Sequence, residues 1–503
     1  DAHEKVTGKA RYAGDIRLPG MLFARILRPP SHAAKLQELD ASEARAIEGI
    51  RLVHDGDLVA VLHEKRDVAD RAVELLKPTY SKAPEIPDER SIYDHLMSVA
   101  PDGDPMGAAG DVADGESLAE EVFEETYYNA YVAHAPIEPH TALASMEDGK
   151  LTVWASTQSP FGLKGQLVSE LGFAENKVRV ITPFVGGGFG GKGSSPQGLQ
   201  AGRLAVIAGR PVQVAWTRED EFFWDSYRPA AIVKIRSGIT GDGKPAFWDY
   251  RVYYAGARGS ELHYDFPHHR TVAHSRRWGG PPGTHPFATG AWRAPGANTN
   301  VFAREQQIDI MAAKAGVDPL EFRLKNCSDP KFIGVLKAVA EKFGWTPAVG
   351  QSGRGVGVAC GIDADTVVAS MAEVDVNREN GRITVKRVVC AQDMGLVVNP
   401  AGATIQMEGC ITMGLGYALM EMQRFRGGKI LDLNFDSYDL PVFSTLPEIE
   451  TVLIDSEDPA PHGGGEPAIV NMGAVIANAV FDATGVRMFE LPMTPEKILA
   501  ALG

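Results

Sequence analysis

Residues Gly463-Gly464-Gly465-Glu466-Pro467-Ala468 place a single carboxylate in a glycine loop, directly ahead of an apolar stretch. Three glycines remove the side chains that hold a bulky ligand away from the backbone. Pro467 stiffens the chain right after the acid. A carboxylate displayed this way suits removal of a proton from a bound reactant. A second loop, Gly186-Gly187-Gly188-Phe189-Gly190-Gly191-Lys192, sits between an expected strand and an expected helix. Its backbone N–H groups can hold anionic oxygens. Phe189 is odd in a phosphate cradle but sensible as a flat wall against a ligand. The loop lacks the Walker spacing and the hydroxyl residue after its lysine. It also lacks the acidic residue that a dinucleotide site carries about 20 positions further on. Thr157-Gln158-Ser159-Pro160 offers an amide that can donate to an oxo or carbonyl oxygen. Ala291-Trp292-Arg293-Ala294-Pro295-Gly296 puts an arginine beside an aromatic in a turn. These stretches lie far apart in sequence and make one site only if the fold joins them.

Other candidates carry less. His263, His268, His269 and His274 match no common zinc spacing, so no metal ligand is expected among them. His134 and His140 flank Ala135-Pro136-Ile137-Glu138-Pro139, where the prolines favour a rigid turn. Cys327, Cys360, Cys390 and Cys410 include no Cys-x-x-Cys. They read as isolated buried thiols rather than ligands of an iron–sulfur or zinc site. The net charge of −15 argues against a nucleic-acid partner, which wants a basic face. No run approaches the roughly 18 apolar residues of a membrane helix. The chain opens at Asp1 rather than Met, and a cytoplasmic or a periplasmic (bacterial-type) location both stay open.

The elements that must position these loops divide into four stretches. Residues 1–98 read as a small α/β unit, with a strand over 57–63 and a helix over 67–77 capped by Asp67. Residues 99–126 read as an acidic linker, since 100–126 hold nine acidic residues and no basic ones. Residues 127–345 alternate strand, glycine loop and helix: strands over 150–156, 177–182 and 212–217, helices over 197–208 and 301–315. The last of these looks amphipathic, with Val301, Ile308, Met311, Ala312 and Ala315 on one side. Asp318-Pro319 marks the start of the next helix. Residues 346–503 hold strands over 369–376 and 383–391, then helices over 402–422 and 474–483, the latter closed by Gly485.

Taken together, these motifs make the chain resemble the molybdopterin-binding subunit of the xanthine dehydrogenase/aldehyde oxidase family, nicotinate and isoquinoline dehydrogenase type. The resemblance spans nearly the whole chain: Lys5 to Tyr12, the stretch from His134, TQSP, GGGFGGK, AWRAPG, DPLEFRLKN, Asn399-Pro400, Gln406 to Gly409, GGGEPA and ANAVFDATGVR. It implies an α+β fold, an N-terminal hammerhead-like α/β domain followed by two elongated molybdopterin-binding domains. It implies hydroxylation of an electrophilic carbon, in an aldehyde or N-heterocyclic aromatic, with water as the oxygen source. The cofactor implied is a molybdenum-pyranopterin, as molybdopterin or its cytosine dinucleotide, with no protein ligand to the metal. Glu466 is implied as the base. Gln158 is implied as the donor to the apical oxo group, and Gly187, Gly188, Phe189, Gly190, Arg293, Ala294, Gly464 and Gly465 as lining the cofactor. Trp292, Pro295 and Gly193 are expected at the substrate pocket. Gly193 stands where purine-oxidising members carry an acid, which points away from purines. No Gly-Gln-Gly loop occurs between 346 and 372. Because no cysteine pattern here can hold them, the family's [2Fe–2S] clusters are expected on a small partner subunit. In some relatives a cytochrome c or flavin subunit follows it. The competing readings are a non-catalytic relative serving as an assembly scaffold, and a nucleotide-binding dehydrogenase.

Overall fold

The computed structural model describes every residue except 83–85, 276 and 282. Three large sheets carry the mixed α/β architecture. The first runs Val178–Ile181, Lys150–Ala155, Thr141–Glu147, Val212–Ala215, Leu22–Ile26, Leu58–His63 and Arg51–Asp55 in spatial order. Helices Pro160–Leu171 and Pro196–Ala208 cover it through Leu163, Leu167, Ala201 and Leu204. The second helix ends at Gly209, whose φ of 62° supplies the left-handed cap. Strand Leu22–Ile26 pairs in parallel with Val212–Ala215. The N-terminal stretch therefore shares a sheet with the segment read as a separate domain. Such pairing depends on backbone hydrogen bonds between remote strands, which periodicity does not report.

The stretch expected to be a linker is folded. Strand Asp104–Ala109 pairs antiparallel with His268–Ala273 at the edge of the second sheet. Asp111 caps helix Val112–Leu118 by accepting the N–H groups of Ala113 and Asp114. Strand Glu121–Asn129 pairs with Ala231–Ile239 along its whole length. Most of the acidic residues of this stretch are exposed, and Glu116 ion-pairs with Arg236. The helix read over 67–77 is also shorter: it spans Arg66–Glu74, and Lys77–Tyr80 is a strand against Leu36–Asp40.

The third sheet runs Val356–Asp363, Thr366–Val376, Ile383–Asp393 and Glu448–Leu453. Helix Met472–Thr484 lies on it and packs against helix Ala297–Lys314, which also contacts the second sheet. Gly473 allows that approach, since a Cβ there would press on Leu491 and Phe302. The apolar window Pro467–Thr484 is 89% buried, which makes it core rather than a membrane span. Helix Ala297–Lys314 starts earlier than expected and is not amphipathic: every residue from Ala297 to Asp309 is buried.

Its polar residues are buried because they bond neighbouring elements. Glu305 accepts from Arg323 Nε (2.9 Å), the Tyr264 hydroxyl (3.0 Å) and the Cys360 N–H (3.1 Å). Burial pushes the Glu305 carboxyl up, but Arg323 and Arg304 outweigh it and hold the group below the usual carboxylate range. Asn478 crosses from the neighbouring helix to the carbonyls of Glu305 and Val358. Glu305→Gln leaves two buried guanidinium groups short of a counter-charge. Urea denaturation is expected to report a loss of about 3–5 kcal/mol, the scale for removing one partner of a buried pair.

Candidate active site

Three loops meet through hydrogen bonds between them, the first ahead of a helix that packs on the first sheet and the other two ahead of helices that share the core of the second and third. Phe189 O accepts the Arg293 backbone N–H at 2.9 Å. The Arg293 guanidinium then reaches across to the third loop, donating through Nε to Gly465 O at 3.0 Å and through Nη2 to Gln406 Oε1 at 2.9 Å. Gln158 joins from the other side. Its side-chain oxygen accepts the Gly190 N–H at 3.1 Å, and its backbone N–H donates to Lys192 O at 2.8 Å. With the amide oxygen so occupied, the exposed Gln158 side chain is left with its amide N–H groups as donors. The fold thus brings Gln158, Gly190, Phe189, Arg293, Gly465 and Glu466 into one continuous constellation.

Close approach explains the glycines. A Cβ on Gly188 would run into Gln158, one on Gly190 into the Ala291 carbonyl, and one on Gly464 into Met394. Gly187 and Gly190 have φ of 92° and 116°. Phe189 and Ala294 are forced to positive φ as well, 53° and 58°. Such conformations cost on the order of 1 kcal/mol or more each and persist only where the surroundings over-determine them.

The stretch from His134 is the footing of the first glycine loop. Glu138 Oε2 accepts from the Gly186 N–H (2.7 Å) and from Lys192 Nζ (2.8 Å). Lys192 is fully buried, and burial lowers its ammonium against the pull of Glu138. His134 faces Asp225 with Nδ1 (2.9 Å) and the Ala291 carbonyl with Nε2 (2.6 Å). Both partners accept, so both ring nitrogens carry hydrogens. Burial works against that charge, and Asp225 overcomes it to raise the imidazole above its ordinary value. His140, Glu221 and Asp225 cluster closely enough for an ion. Within the network His140 Nδ1 faces Glu221 and Asp225 Oδ2 faces His134, while His140 Nε2 is buried without a hydrogen-bond partner. The four later histidines disperse: His263 stacks on Phe332, His274 on Tyr253, and His268 and His269 bond backbone groups of Asp111 and Phe266.

Two expected pocket residues face the wrong way. Trp292 is fully buried, donates Nε1–H to Ala133 O at 3.2 Å and lies between the Arg228 guanidinium and Tyr417. Pro295 is buried behind the same turn. Alternation around the strained Ala294 turns Arg293 toward the glycine loops and Trp292 into the core. Ala294 itself is fully buried. Gly193 is exposed, with open space where a Cβ would sit.

Glu466 is 40% exposed, and its Oε2 accepts from Arg258 Nη2 at 3.0 Å. Arg258 also pairs with Asp363, whose side chain is fully buried. Burial, reinforced by nearby Glu466 and opposed by Arg258, pushes the Asp363 carboxyl up to about 6. Sequence reasoning singles out neither Arg258 nor Asp363. Gln406 falls inside a matching motif without a role there. Cys410 reads from sequence only as a buried thiol, yet its Sγ faces the carbonyls of Gly465 and Glu466. The one signal for Arg258 is an arginine between small residues, Gly256-Ala257-Arg258-Gly259, and it is weak.

Comparisons with known proteins give the family. Models of a molybdopterin cofactor-binding domain match residues 100–327 and 343–447. A nicotinate dehydrogenase subunit of Pseudomonas putida is 32% identical over all of this chain, which spans 46% of that protein. The beta subunit of isoquinoline 1-oxidoreductase from Brevundimonas diminuta is 29% identical over 98% of this chain and 67% of its own length. The solved aldehyde oxidoreductase of Desulfovibrio gigas superposes with a TM-score of 0.84 at 19% identity, covering all of this chain and 80% of that one. The chain belongs to the xanthine dehydrogenase family of molybdopterin-binding oxidoreductase subunits. It spans about half the length of the nicotinate dehydrogenase relative.

Gly190→Ala is expected to lower the molybdenum content of purified protein several-fold, because its Cβ drives the first glycine loop away from the Arg293 turn at Ala291. Gly193→Ala, with open space around it, is expected to keep it. Elemental analysis of both variants is the check.

Proposed function

We propose that this chain binds a molybdenum-pyranopterin and hydroxylates an aldehyde or an aromatic N-heterocycle at an electrophilic carbon, with an oxygen derived from water. The observation that carries the reading is the unbroken set of bonds from Gln158 through Gly190, Phe189 and Arg293 to Gly465, with Glu466 next in sequence. The residues fit such a group. Gly465, where a Cβ would meet nothing nearer than Gln406 at 3.9 Å, leaves open space beside Glu466, and the Gln158 amide N–H groups are donors suited to oxo oxygens. When bound, the cofactor supplies a centre that takes up two electrons and delivers the oxygen.

The protein's own part is orientation and proton transfer. Glu466 reaches solvent on one side and Arg258 on the other, so its carboxylate can receive the proton released as the oxygen nucleophile forms. Arg293 ties the loop that carries Glu466 to the loop that carries Phe189, fixing the base relative to the reacting carbon. The Phe189 ring, 39% exposed, offers a flat wall to an aromatic substrate. With Gly193 beside Lys192 there is no acid at that position to hydrogen-bond a purine. Electrons leave to a small partner that carries the [2Fe–2S] clusters. Cys327, Cys360, Cys390 and Cys410 are each buried in this chain's own core, so none is placed to hold a cluster at a surface.

Glu466→Gln is expected to keep fold and molybdenum content while lowering turnover by about 10²-fold or more, the scale of a lost general base. Unchanged turnover removes Glu466 from the mechanism. A panel of nicotinate, isoquinoline, xanthine and aldehydes with an artificial acceptor tests the substrate class. Robust xanthine oxidation contradicts the inference from Gly193.

A further inference from the structure

Among the described residues, Arg258 is the cation that ion-pairs with Glu466 from outside the three glycine-rich loops. Arg258 lies after strand Pro245–Tyr253 in a turn that the central helix holds from beneath. Asn300 Nδ2 donates to the carbonyls of Gly256 (3.1 Å) and Arg258 (2.9 Å), and Arg304 Nη1 donates to Gly259 O (2.9 Å). Gly259 has a φ of 77°, and a Cβ there would press on the backbone of Ala297. The Arg258 backbone is therefore fixed before its side chain meets any partner.

That side chain divides itself between two carboxylates. Nε and Nη2 grip Asp363 in a fork, with Nη2 2.8 Å from Oδ2, and the same Nη2 reaches Glu466 Oε2 at 3.0 Å. Asp363 is the last residue of strand Val356–Asp363, which Glu305 holds by the Cys360 N–H. Its side chain is 0% exposed, against 37% for Arg258 and 40% for Glu466. Mobility should follow the same order: a buried anchor, a planar intermediary, a base at the cleft. A fork of parallel N–H groups is what a guanidinium supplies and an ammonium does not.

We propose that Asp363 and Arg258 are positioning residues for Glu466, with Asp363 setting the plane of the Arg258 guanidinium and Arg258 aiming the Glu466 carboxylate into the cleft. The inference rests on the reading of Glu466 as the base. It extends that reading by naming what keeps a lone acid in a glycine loop from wandering. Two carboxyl groups so close repel each other when both are ionised, and the cation between them offsets that repulsion. Two other titratable groups face the loop that carries Glu466. Arg293 bonds Gly465 O, and burial pushes the Cys410 thiol up to about 12. Asp363 is the group that changes. Its folded value of about 6 lies above that of an unfolded chain, so folding binds this proton. The stability it contributes is present at low pH and is lost as pH rises through about 6.

The test uses the holoenzyme with molybdenum measured in every variant, beside Glu466→Gln. Arg258→Gln is expected to lower kcat about 10-fold or more with KM little changed, as for a base displaced by a fraction of an ångström. Arg258→Lys is expected to recover part of the loss, and Asp363→Asn to lower kcat less than Arg258→Gln. Thermal melting of the cofactor-free protein gives a readout apart from activity. The Tm difference between Asp363→Asn and the parent chain should move in favour of the variant as pH rises from about 4 to about 7. Full kcat in both Arg258→Gln and Asp363→Asn with molybdenum retained overturns the proposal. So does a loss of activity that merely tracks lost molybdenum, or a pH-independent Tm difference. If Glu466→Gln itself turns over normally, the parent reading fails instead, and the two failures are told apart.

Discussion

Arg293 is the tie on which the site depends. Its backbone N–H closes onto Phe189 O and its guanidinium onto Gly465 O and Gln406, so one residue spans two glycine-rich loops. Glycine loops lose the most conformational entropy on ordering, so bonds from other segments matter to holding them. A rigid, multidentate donor from a third segment supplies such bonds without occupying the space the glycines leave. Arg293 faces the loops while Trp292 on one side and Ala294 on the other stay in the core, with Ala294 held at a φ of 58°.

The interior beneath is unusually charged for its burial, and the charges are connective. Glu305 joins the central helix to Arg323 and to the strand that ends at Asp363. Lys192, Glu138, His134 and Asp225 do the same under the first glycine loop. Replacing such pairs by apolar residues often leaves stability unchanged or improved. Their use here is geometric: each holds a backbone segment in one place, and those segments carry Gly186, Arg293 and Asp363.

Much of this is legible in the sequence. Strands at Lys150–Ala155, Val178–Ile181 and Ile383–Asp393 follow from alternation. Helix ends at Gly209 and Gly485 and the Asp318 cap follow from local chemistry. The glycine loops stand out because a run of glycines around a lone acid or aromatic serves close approach by a ligand or another backbone. What stays hidden is non-local. The pairing of Leu22–Ile26 with Val212–Ala215, and the fold of residues 104–129 that composition marks as linker, depend on partners far along the chain. Trp292 and Arg293 are adjacent in sequence and face opposite ways, and which one reaches the cleft depends on how the turn is held by Phe189 and Ala133. Arg258 and Asp363 carry no motif, since their meaning lies in facing Glu466.

The most direct test of the whole account is the location of the metal. An anomalous-difference map at the molybdenum edge, from crystals of the purified protein with its native cofactor, would give it without reference to activity. The account predicts one peak in the cleft bounded by Gln158, Phe189, Arg293 and Glu466, with the Glu466 carboxylate and the Gln158 amide both turned toward it and no side chain bonded to the metal. A peak elsewhere, or a metal held by His140, Glu221 and Asp225, would contradict it.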